Sequence, residues 1–118
     1  MSTDDGRNIL SVADALNAVL ADSYALFLKT KNYHWHVKGP RFRDLHLLFD
    51  EQALQIMATT DLIAERVRKN NAPALRSIGD IARRQTIKDD DAEGLDAETM
   101  VRNLAADNRI LADQLRAV

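Results

Sequence analysis

From about Phe42 to Lys69 the chain runs without a single Gly or Pro, and four metal-ligand side chains recur along it. His46, Asp50, Asp61 and Glu65 lie at offsets of 0, 4, 15 and 19. At about 100° per residue these point to roughly 0°, 40°, 60° and 100°, one face of one helix. Carboxylate oxygen and imidazole nitrogen converging from one face suit a hard or borderline cation. A long helix is therefore required, and its ligand row limits how copies of it can pair.

The two pairs, His46/Asp50 and Asp61/Glu65, are each spaced i,i+4, close enough to hold one metal between them. Their centres are fifteen residues apart, or ~22 Å at 1.5 Å per residue. A metal–ligand bond spans about 2.0–2.6 Å, so one copy cannot close a single site from all four. Two antiparallel copies can, about a two-fold axis near Gln55 and Ile56, which generates two equivalent sites. His34 joins the scheme if a short turn folds the preceding helix back onto this one. Each site is then His34, His46 and Asp50 from one copy, with Asp61 and Glu65 from the other. Two imidazoles among carboxylates favour a transition metal, with iron first and zinc, manganese or cobalt as competitors. Taken alone, an Asp-x-x-x-Glu pair is usually a solvated face and Trp35 usually a packing residue. His36 has no place in the scheme.

The rest of the chain reads as helical. Ile9, Ala13, Leu16, Leu20, Tyr24 and Phe27 keep helical spacing from Ile9 to about Tyr33, with Ser11-Val-Ala-Asp14 as a capping signal. Residues 1–8 are expected to be a flexible polar tail and 9–118 one helical domain. The segment from His36 to Arg41, which holds Gly39 and Pro40, reads as a turn. Asn70-Asn71-Ala72-Pro73 ends the second helix. Residues 74–84 suggest a short helix weakened by Gly79, and Lys88 to Gly94 a solvated loop. Asp96 reads as the N-cap of a third long helix with Val101, Leu104, Ala105, Leu111 and Leu115.

That pattern is an all-α bundle of three long helices and one short one, short of a fourth long partner. The 118 residues carry no cysteine, which excludes a disulfide framework and thiolate chemistry. A net charge of −2 gives no whole-chain attraction to nucleic acid. The polar, acidic N-terminus is unlike a signal peptide, and a soluble cytoplasmic protein is expected.

The residues His34-Trp35-His-Val-Lys-Gly-Pro-Arg-Phe, Leu45-His46-Leu-Leu-Phe-Asp50-Glu51 and Asp61-Leu-Ile-Ala-Glu65-Arg66 resemble the signature of the Dps proteins. These are mini-ferritins, DNA-binding proteins from starved cells. The likeness spans roughly residues 9–115, and the 12-15-4 spacing of His34, His46, Asp61 and Glu65 is specific. His36 stands where the family more often has Asn. The resemblance implies a ferritin-like four-helix bundle, a hollow dodecamer and a ferroxidase centre shared across the two-fold. It implies oxidation of ferrous iron, typically by hydrogen peroxide, with storage of the ferric mineral. Asp61, Glu65 and His34 would bind the tighter iron, while His46 and Asp50 help hold a second. Glu51 would face the cavity, and Trp35 would be an electron relay. The family's chains continue into a fourth long helix, which is expected to be missing here.

Two other readings stand beside this one. The first is a nucleoid-associated protein using Arg66, Arg68, Lys69, Arg83 and Arg84. Its tail is expected to bind DNA weakly, because Asp4 and Asp5 outweigh Arg7. The second is a shortened helical assembly module without activity.

Overall fold

The computed structural model describes the backbone of residues 3–118 and the side chains of residues 12–118. It is all-helical: α1 (Thr3–His36), α2 (Phe42–Lys69), α3 (Ile78–Arg84) and α4 (Ala97–Ala117). The molecule is elongated, 62 × 25 × 19 Å. Helix α1 is the hub and packs against each of the other three.

The apolar stripe read from the sequence becomes the core. Val19, Leu26 and Tyr33 of α1 meet Phe49 of α2 and Met100, Leu104 and Leu111 of α4. Ala13 and Leu16 meet Val67 and Ala72 at the other end. Gly39, at φ 107°, adopts a conformation that side chains rarely tolerate and turns α1 into α2. Asn71 makes the corresponding left-handed step after α2, at φ 60°, where Asn is among the best-tolerated residues.

Two boundaries differ from expectation. The expected polar tail at 1–8 lies outside the described residues at 1 and 2, but backbone 3–8 is already α1. Gly6 alone weakens a helix by only about 1 kcal/mol, and no proline intervenes. Ser11 to Asp14 therefore lies inside α1 and is not its cap. The short helix is Ile78–Arg84, four residues shorter at its start than expected. Ser77 caps it, accepting from the Asp80 amide at 3.1 Å, while residues 74–77 stay irregular. Asp96 does cap α4, accepting from the Thr99 amide at 2.8 Å.

The connection from α2 to α4 is held down by polar side chains of α1. Asn17 takes the Leu75 amide and donates to the Pro73 carbonyl, both at 3.0 Å. Asp22, with no exposure, accepts from the Thr86 and Ile87 amides at 2.7 and 2.9 Å. Its other oxygen accepts from the Thr86 hydroxyl and the Gln114 amide. Lys29 pairs with Asp107 at 2.8 Å and donates to the Lys88 carbonyl. Asn32 and Tyr33 both reach Asp90. The stretch from Lys88 to Gly94 is thus more than a solvated loop, because backbone groups in a packed connection need partners and α1 supplies them.

Candidate metal centre

The α1–α2 turn brings His34 and His46 face to face, twelve residues apart in sequence. Their rings stack at 3.8 Å between centroids and 18° between planes. Each locks the other through the backbone. His34 Nδ1 donates to the His46 carbonyl at 2.5 Å, and His46 Nδ1 donates to the His34 carbonyl at 2.7 Å. A carbonyl only accepts, so both Nδ1 atoms carry the proton and both Nε2 lone pairs are free when the rings are neutral. A carbonyl holding one ring nitrogen while the other stays available is the usual support of a metal-binding histidine. Phe42 stacks on the far side of His46 at 5.0 Å and fixes its ring further.

Asp50 lies one turn beyond His46, with an oxygen 3.9 Å from His34 Nε2. The Lys31 ammonium sits 2.7 Å from that same oxygen. This hydrogen bond holds the Asp50 carboxyl below the usual carboxylate range. Nothing in the ligand pattern pointed to Lys31; its i,i−3 spacing from His34 was the only signal. The same ammonium lies 5.7 Å from the Trp35 ring, which is 56% exposed. His36 Nδ1 is taken by Asn32.

Asp61 and Glu65 are exposed on the second half of α2, as is Glu51 further back. Among the described residues, no three His, Asp or Glu side chains of one copy are placed to hold a metal ion together. One chain thus brings His34 and His46 together with an Asp50 oxygen nearby, without placing these three as a closed metal site, and Asp61 and Glu65 lie further along α2. Leu47, Leu54 and Leu62 are 54%, 60% and 69% exposed beside this row of carboxylates.

The sequence pattern of the ferritin-like domain matches residues 13–118. A DNA protection during starvation protein of Bacillus anthracis is 32% identical over 105 residues, covering 89% of this chain and 71% of that protein. The chain belongs to the Dps family of ferritin-like proteins. A low temperature-induced protein of Nostoc is 40% identical over 114 residues, covering 97% of this chain. The chain spans only 63%, 49% and 56% of the Nostoc protein and its Deinococcus radiodurans and Halobacterium salinarum Dps relatives. Among solved structures, antigen TpF1 from Treponema pallidum superposes with a TM-score of 0.90 at 25% identity, covering 94% of this chain and 71% of that one. A Dps protein from Vibrio cholerae, described as one of the ferritin-like diiron-carboxylate proteins, gives 0.86 at 28% identity, covering 92% and 68%. No described helix of this Dps chain is long and apolar enough to cross a membrane.

Proposed function

We propose that this Dps protein oxidises ferrous iron and stores the ferric product, at sites that two copies build together. The observation that carries the reading is the reciprocal locking of His34 and His46, which leaves two Nε2 lone pairs free on one face. Each site takes His34, His46 and Asp50 from one copy and Asp61 and Glu65 from its antiparallel mate. The exposed leucines beside the carboxylates support this pairing, because apolar patches of this kind mark interfaces. Nitrogen and oxygen donors in this mixture suit iron, with zinc and manganese as substitutes. Hydrogen peroxide as oxidant, a dodecameric cage, and roles for Trp35 as electron relay and Glu51 as cavity carboxylate complete the proposal by analogy with the family.

Iron is the substrate, and the chain's own groups set how it is received. The histidines are fixed before it arrives, so little ordering is required on binding. Lys31 is the exception. Its ammonium occupies the flank of Asp50 that a cation would take, and binding must displace it. Lys31→Met should raise affinity for cobalt(II), a redox-inert probe under these conditions, several-fold by calorimetry, and unchanged affinity would remove Lys31 from this account.

The test of function is ferrous iron supplied anaerobically with hydrogen peroxide. Ferric absorbance should grow faster with protein than without it, and light scattering should read an even-numbered oligomer. A monomer with no rate enhancement would leave the inactive assembly module in its place. The nucleic-acid reading has less support, since Arg83 and Arg84 both engage Asp80 and Arg68 donates to the Ala72 carbonyl.

A further inference from the structure

Tyr33 precedes His34 in α1, is 1% exposed and belongs to the core. Its ring lies 6.4 Å from that of Phe49, the neighbour of Asp50. A redox-active phenol there is one residue along α1 from His34 and packs near the residue preceding Asp50. Its hydroxyl donates to Asp90 Oδ2 at 2.5 Å and accepts from Asn103 at 3.0 Å. Asp90 is itself fixed, since its other oxygen takes the Ala92 amide and its carbonyl takes Asn32. Asp90 also borders a wide cleft between α1 and the connection to α4, open toward solvent.

We propose that Tyr33 is a one-electron donor to oxidants formed at the His34–Asp50 face, with Asp90 as the acceptor of its phenolic proton. The inference rests on the iron-oxidising reading above. Peroxide needs two electrons, and a site holding one ferrous ion supplies one. Ferrous iron plus peroxide then gives ferric iron, hydroxide and a hydroxyl radical. That radical takes an electron from Tyr33 and becomes hydroxide, while the phenolic proton moves along the existing hydrogen bond to the Asp90 carboxylate. The products are a neutral Tyr33 phenoxyl radical and a protonated Asp90, which returns its proton through the cleft. A proton acceptor already at hydrogen-bond distance removes the need to expel a buried charged phenol. The Lys29 ammonium, paired with Asp107 and the Lys88 carbonyl, also favours Asp90 as carboxylate, the form that accepts the proton.

The chain has two tyrosines, so the radical can be assigned by substitution. Protein loaded with less than one ferrous ion per site is mixed with peroxide and freeze-quenched, and electron paramagnetic resonance is read beside ferric absorbance. Wild type and Tyr24→Phe should give a tyrosyl signal that ring-deuterated tyrosine narrows. Tyr33→Phe should lose it while ferric absorbance still forms. Asp90→Asn should slow its appearance at least ~100-fold, the low end of the effect of a positioned proton acceptor. Ferric formation with no tyrosyl signal in wild type, or a signal surviving in Tyr33→Phe, overturns the proposal and leaves the iron reading standing. Absence of ferric formation overturns both. Should Tyr33→Phe fold poorly, the deuterated wild type and Tyr24→Phe decide alone.

Discussion

Asp22→Ala should lower the stability of this protein by about 3–5 kcal/mol. Asp22 is fully buried and accepts four hydrogen bonds from three residues at two distant places in the chain. Removing its carboxylate orphans the Thr86 and Ile87 amides, and each buried unpaired donor costs roughly 1–3 kcal/mol. The Thr86 hydroxyl and the Gln114 amide lose the same acceptor. With a total stability on the order of 5–15 kcal/mol, the loss is large enough to lower Tm by roughly 12–20 °C. Thermal unfolding by circular dichroism reads it directly. Asp14→Ala is the control, being exposed on the same helix, and should stay within about 0.5 kcal/mol of wild type. Equal effects of the two substitutions would mean that the connection is not anchored through Asp22.

The second large effect falls on metal binding with stability spared. In the Asp61→Ala/Glu65→Ala double variant both changes are on exposed side chains of α2, so unfolding should move by less than about 1 kcal/mol. Affinity for cobalt(II) should fall at least ~100-fold, because loss of a mere supporting contact around a metal already costs about 10–100-fold. Calorimetry on wild type and double variant separates the two consequences. Affinity within a few-fold of wild type would return Asp61 and Glu65 to the status of a solvated helical face.

How far the chain could be read ahead of its structure depended on the range of the interactions involved. The bounds of α2, the Asp96 cap and the approach of His34 to His46 were all legible, because each follows from local spacing and one short turn. The gathering of Asp50 with the two histidines was less legible, because Lys31 holds the Asp50 oxygen and the three do not form a closed metal site in one copy. The start of α1 was misplaced because Ser11 and Asp14 imitate a cap that the continuing helix never uses. The reciprocal Nδ1 contacts were not legible, since they depend on ring rotation and on which carbonyl the turn presents. Lys31 escaped notice for a related reason: its partner Asp50 is nineteen residues away on another helix. The α1 side chains Asp22, Lys29, Asn32 and Tyr33 look like ordinary polar interruptions until their partners, more than fifty residues on, are in place.

Whether two copies share each site is decided by complementation. One variant keeps the histidine half and carries Asp61→Ala/Glu65→Ala; the other keeps the acidic half and carries His34→Ala/His46→Ala. Each alone should be inactive in ferrous oxidation. In a mixed two-fold pair, one of the two sites regains all five ligands and the other has lost both halves. Random pairing of equal amounts, co-folded from the denatured state, should therefore restore about a quarter of the wild-type sites. Recovery near that level is the predicted result. Two inactive parents whose mixture stays inactive, although light scattering shows that they pair, would contradict the shared site.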